Sequence, residues 1–253
     1  ISTDILDNTI FQKLFGYHYN NGLLIIANSL LLAVCLYYCF KLVYSHFTGI
    51  QIERPYQFVF KLLIFGIFIN CSYFICEMFI YFTSLISDAI RSIGSNILGE
   101  EISFSSLISS LNSVVTVDST SLNVFSLDGI LQSLISISFI NLLFTYSLRF
   151  IMVKVLILIM PFALLTLINS STAWFFKAWL KIFLSLLFIQ PFISITLLIV
   201  FALDFTGTDI MSKVLCIGAI YALIRANTYV QHFIGGISTN VSQNLSLMRG
   251  RIR

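Results

Sequence analysis

Three histidines and five cysteines are the first side chains to weigh for catalysis or metal binding in this 253-residue chain. His18, His46 and His232 lie far apart, and none has a cysteine or carboxylate pattern close by, as a metal site or an acid–base pair would need. Cys35, Cys39, Cys71, Cys76 and Cys216 all fall in apolar runs. Cys35 and Cys39 share a helix face, but no pair has zinc or haem spacing. A thiol in such a run ordinarily acts as a small buried hydrophobe, so these cysteines do not reveal the redox compartment. Neither G-x-S-x-G nor H-E-x-x-H nor a Walker A loop occurs. The expectation is a protein that is not an enzyme, with no catalytic residue, no metal and no cofactor. An energised process would need its ATPase on another chain.

Polar groups inside apolar stretches are the second class, because lipid makes them costly. Asn70, Glu77, Asn141 and the pair Gln190-Pro191 are of this kind. Pro191 lacks a backbone donor and frees a carbonyl one turn earlier, which Gln190 could satisfy. Pro161 should kink its own helix in the same way. Packing within one bundle, contact between subunits and a pore lining all remain open for these residues. Glu77 is placed towards the outer end of its span, where it can snorkel. Trp174 and Trp179 flank Lys177 and Lys181, the pattern of an interfacial aromatic anchor beside positive-inside lysines.

The elements that carry these residues are long and apolar. The chain is 58% hydrophobic and 10% charged, with a mean hydropathy of +0.97, against about 25% charged residues in an ordinary soluble domain. Apolar runs cover Gly22–Phe40, Phe58–Leu85, Gly129–Leu167, Ile182–Leu203 and Met211–Ile224. A bilayer core of about 30 Å needs about 20 helical residues, and these runs are too continuous for barrel strands. The fold expected is therefore all-α: a polytopic transmembrane bundle with about five crossings, one apolar helix that does not cross and one amphipathic outer helix. No internal repeat is evident.

Charge orders the crossings, since positive loops stay cytoplasmic. With five crossings and the N-terminus outside, Lys41, Arg54, Lys61, Lys177, Lys181, Arg225, Arg249, Arg251 and Arg253 fall on the cytoplasmic face. With six crossings the split is nearly even. The spans expected are Gly22–Tyr44, Gln57–Ile86, Val155–Phe176, Ile182–Leu203 and Met211–Ile224, with Gly129–Arg149 as the helix that does not cross. Ile1 in place of an initiator Met means either a trimmed chain or a removed secretory signal, and the second would put Ile1 outside. Five regions follow. Residues 1–21 are a periplasmic or interfacial segment, 22–86 a transmembrane hairpin and 87–128 an outer loop. Residues 129–226 form a C-terminal transmembrane region, and 227–253 a polar, basic cytoplasmic tail. Within the outer loop Phe104, Leu107, Ile108, Leu111, Val114 and Val115 recur at helical spacing, with serines opposite. That polar face is uncharged, which favours packing on protein over lying on lipid.

The stretch Met160-Pro-Phe-Ala-Leu-Leu-Thr-Leu-Ile-Asn169, continuing through Ser170-Ser-Thr-Ala-Trp-Phe-Phe-Lys-Ala-Trp-Leu180, resembles the TrbL-type conjugal-transfer proteins. These are polytopic inner-membrane subunits of type IV secretion systems. The likeness lies in a Pro-bearing apolar helix, a short loop, the Phe176-Lys-Ala-Trp179-Leu180 element and another long apolar helix. Ala226-Asn-Thr-Tyr-Val-Gln-His-Phe-Ile-Gly235-Gly236 resembles the family's polar segment ending in Gly-Gly. The central outer loop departs from the family, being short and serine-rich. The resemblance implies an inner-membrane channel subunit that forms homo-oligomers and works with other inner-membrane, stalk or pilin and ATPase subunits. DNA or protein would pass transiently, and lipid would surround it. Pro161, Trp174, Phe176, Trp179, Leu180, Gln190, Pro191, Gly235 and Gly236 become candidates for assembly or structure. Residues 103–116 and 129–149 become candidates for subunit or stalk contact. A permease or ion-channel subunit, or an export-gate subunit of the flagellar or injectisome type, are the alternatives.

Overall fold

The computed structural model describes residues 9–16, 22–49, 54–99, 102–103, 105–109, 127–169, 171–202 and 210–234. The protein is all-α. Its helices are α1 (Thr9–Phe15), α2 (Leu23–Thr48), α3 (Pro55–Asn70), α4 (Ser72–Leu98), α5 (Leu127–Leu165), α6 (Ala173–Ala202) and α7 (Ile210–Ile234). Among the described residues five helices, α2, α4, α5, α6 and α7, are long and apolar enough to cross a membrane. Three boundaries differ from those read in the sequence.

The expected span Gln57–Ile86 is two helices. Cys71 leaves helical geometry at φ −87°, ψ 3°. The cause is local: Asn70 Nδ2 donates to the Gly66 carbonyl at 2.8 Å, and Ser72 Oγ to the Ile69 carbonyl at 2.6 Å. Side chains that hydrogen-bond nearby carbonyls offer the backbone an alternative to the helical ladder. The expected division between Gly129–Arg149 and a span at Val155–Phe176 is also corrected, because α5 runs unbroken for 39 residues, about 58 Å at 1.5 Å per residue. The chain then turns at 166–172, so Trp174 and Phe176 belong to the next helix. Finally, α7 continues to Ile234, past the start expected for the tail. Gly235 and Gly236 lie outside the described residues.

The chain divides into two compact units, with boundaries inside α4, α5 and α6. One unit comprises Ile1–Tyr81 and Val153–Phe183. In it α2 and α3 form an antiparallel pair. Tyr38 stacks on Phe58 at 3.7 Å, and the two join Ile168 in a buried cluster with Leu31, Val34, Leu62, Phe65 and Leu165 around it. Asn28 and Asn70 pair their amides, at 3.1 Å for Asn28 Nδ2 to Asn70 Oδ1, the kind of bond that joins helices in lipid. Gly49 closes α2 at φ 68°, its N–H on the Ser45 carbonyl, a left-handed position that suits glycine. Pro55 opens α3 at a position where its missing N–H is no loss. Helix α1 buries Phe11 and Phe15, with Phe15 edge-on to Tyr73 at 5.2 Å.

The other unit comprises Phe82–Met152 and Leu184–Arg253. Its core draws on Ile135 and Leu142 of α5, Leu186, Ile189 and Leu197 of α6, and Ile220 of α7. Gly94 of α4 leaves room for Ile102 and Leu198, whose methyls a Cβ there would overlap. The amphipathic pattern at 103–116 is described as a helical turn at 105–109. Ser103 and Ser106 cap it reciprocally, each backbone N–H donating to the other's Oγ at 3.0 Å. Ile102 and Leu107 hold the flanking staple positions, and both are buried.

Candidate functional site

The residues singled out by sequence concentrate on α5 and α6, which reverse direction through the turn at 166–172. Polar side chains build that turn. Thr172 Oγ1 donates to the Thr166 carbonyl at 2.7 Å, Thr166 Oγ1 to the Ala163 carbonyl at 2.7 Å, and Asn169 Oδ1 accepts the Ser171 N–H at 3.2 Å. The Phe175 N–H then returns to the Thr172 carbonyl at 3.0 Å, starting α6.

Trp179 is the centre of the first unit's part of this hairpin. Its Nε1–H donates to the Leu156 carbonyl of α5 at 3.0 Å. Its ring stacks between Phe176 at 5.8 Å and Phe183 at 5.0 Å, and Phe183 meets Phe79 of α4 edge-on at 6.3 Å. The thiol of Cys76 sits against the thioether of Met160, and Lys154 Nζ lies 5.7 Å above the Phe11 ring. Trp179 is 4% exposed and Trp174 67% exposed. The anchor pattern therefore splits: Trp174 is free to meet an interface, whereas Trp179 is covered by its own chain.

In the second unit the equivalent bond is Arg149 Nε donating to the Leu186 carbonyl at 3.0 Å. The two bonds share one spacing. The acceptor stands seven residues after the donor of its own helix, and a proline stands five beyond the acceptor: Arg149, Leu156, Pro161 and Trp179, Leu186, Pro191. Each proline deprives the carbonyl four residues back, Ile157 or Leu187, of its helical N–H, and its ring loosens that turn. The neighbouring carbonyl has a second lone pair and takes the side-chain donor from the facing helix. The spacing is visible as two Pro-Phe pairs, at 161–162 and 191–192, a signal the repeat reading passed over.

Pro161 and Pro191 are buried, while Phe176, Leu180 and Gln190 are half-buried. The Gln190 carbonyl accepts Ser194 Oγ at 3.3 Å. Leu107, a candidate for subunit contact, is buried by its own chain, and Ile108 is half-buried. Phe104, Leu111, Val114 and Val115 lie outside the described residues. Along α5, Ile130, Leu134, Ile137, Phe144 and Leu148 form an exposed apolar stripe with Asn141 on it.

Glu77 lies at about the same level as Lys181 of α6. Cys76 and Phe79 of α4 touch Met160 and Phe183, and the start of α4 at Ser72 puts Glu77 about one and a half turns into its helix. Among the described residues no group of three or more His, Cys, Asp or Glu could hold a metal ion.

Five span-length apolar helices with buried cross-helix clamps define a polytopic helical membrane protein. No family model, no curated protein and no solved structure matches the chain.

Proposed function

We propose that this chain is an integral inner-membrane subunit of a type IV secretion or conjugation apparatus, of the TrbL type. It oligomerises to form or scaffold the translocation path and the base of a pilus or stalk. It is not an enzyme: its work is to hold helices together across the bilayer and to present apolar faces to neighbouring subunits. The N-terminus lies outside and the C-terminal end of α7 in the cytoplasm.

The observation that supports this reading is the α5–α6 hairpin. The Pro161 helix and the Phe176-Lys-Ala-Trp179-Leu180 element, which carry the resemblance, fold back on each other through the Trp179–Leu156 bond. Lys177 and Lys181 remain exposed on the outer side of that element. The wide apolar surface of the α2–α3 arm fits an assembly subunit, since α2 buries only Ala27 and Tyr38.

The test is genetic. Deleting the gene should abolish transfer of a mobilisable plasmid or a secreted effector, and the intact chain supplied in trans should restore it. Affinity purification from gently solubilised membranes should bring down a secretion ATPase and a pilin. Undiminished transfer of both cargo classes in the deletion strain would refute the proposal.

A further inference from the structure

We propose that copies of this chain associate head to tail in the membrane, with Glu77 of one copy paired to Lys181 of the next. Both side chains are exposed on helices long enough to span, and within the described chain neither makes an ion pair or hydrogen bond. A charge presented to hydrocarbon is costly and ordinarily finds an opposite charge.

Depth and direction select the partner. Glu77 lies between Cys76 and Phe79 of α4, and Lys181 lies between Trp179 and Phe183 of α6. Phe79 meets Phe183, Cys76 meets Met160 and Trp179 reaches Leu156. Glu77 and Lys181 therefore sit within about one helical turn of the same depth. Two residues along a helix turn the side chain by about 200°. Since Phe79 and Phe183 face each other, Glu77 and Lys181 face away on opposite sides. They cannot meet within one copy.

Opposite patches at equal depth satisfy each other when copies are related by rotation about an axis along the membrane normal. Such a heterologous contact repeats and closes into a ring. The patches match in shape of chemistry as well as charge. Phe74, Met78 and Tyr81 surround Glu77 with exposed apolar surface, and Lys177 and Trp174 stand one and two turns from Lys181 on its exposed face. A second copy is the occupant that supplies both halves.

This rests on the proposed function only for self-association, and the test separates the two. Full-length protein is prepared in lipid discs from a mixture of unlabelled and 15N-labelled cells that are fused before extraction. A zero-length carbodiimide crosslinker is applied, and linked peptides are identified by mass spectrometry. A mixed-isotope Glu77–Lys181 peptide is expected in the unaltered protein. Glu77→Lys and Lys181→Glu should each weaken self-association about tenfold or more, read as particle mass, and the double reversal should restore it. Absence of the mixed-isotope link, or unchanged mass in both single variants, would overturn the pairing and assign these charges to lipid headgroups or water. Loss of the pairing would leave a positive transfer result intact, and a failed transfer assay would leave the pairing intact.

Discussion

Trp174 and Trp179 stand five residues apart, about 140° around a helix, and that angle separates their roles. Trp174, Lys177, Ala178 and Lys181 share an exposed face, while Trp179, Phe183, Leu186 and Leu187 share a buried one. That division was available from the sequence by counting in steps of three and four. What could not be read there was the acceptor, because a backbone carbonyl carries no residue type. Trp179→Phe keeps the stack and loses one hydrogen bond, with an expected cost of about 1 kcal/mol. Trp179→Ala also opens a cavity between Phe176 and Phe183, with an expected cost of about 3–5 kcal/mol. Trp174→Ala should change stability by no more than about 0.5 kcal/mol. Unfolding in detergent followed by circular dichroism measures all three. Equal losses at the two tryptophans would show that burial does not distinguish them.

Helices were legible from their apolar runs, but their ends were not. The break at Cys71 rests on Asn70 and Ser72 turning to their own backbone, and two small polar residues scarcely interrupt an apolar run. The reversal at 166–172 was hidden because apolar sequence borders it on both sides, while its structure comes from Thr166, Asn169 and Thr172. Conversely, the serines of the outer loop were read as a featureless polar face, yet Ser103 and Ser106 form a reciprocal cap. Removing a cap residue typically costs about 1 kcal/mol. Ser103→Ala or Ser106→Ala should therefore speed amide exchange at residues 105–109, with little change in α5 or α6. Exchange that stays at the wild-type rate in both variants would show that the burial of Ile102 and Leu107 holds this turn without the cap.

At the level of the whole chain, one balance governs: apolar surface that lipid accepts against polar groups that it does not. Several polar side chains in the spans are absorbed locally. Thr145, Ser194 and Thr196 donate back to carbonyls four residues earlier, and Asn28 and Asn70 satisfy each other. Arg149 and Trp179 use carbonyls beside proline-loosened turns. Among the described residues five span-length helices remain, an odd number, although four of them, α4 to α7, have bounds the sequence did not disclose. If all five cross, as we propose, the two ends of the described chain lie on opposite sides, and by the positive-inside rule the cluster of Lys177, Lys181 and Arg225 would put the C-terminal end of α7 in the cytoplasm. The direct test fuses alkaline phosphatase, active only outside, or a fluorescent protein that matures only inside, before Gly22 and after Ile234. Phosphatase activity at the first site and fluorescence at the second are expected. The same compartment at both sites would contradict a chain that threads the bilayer five times.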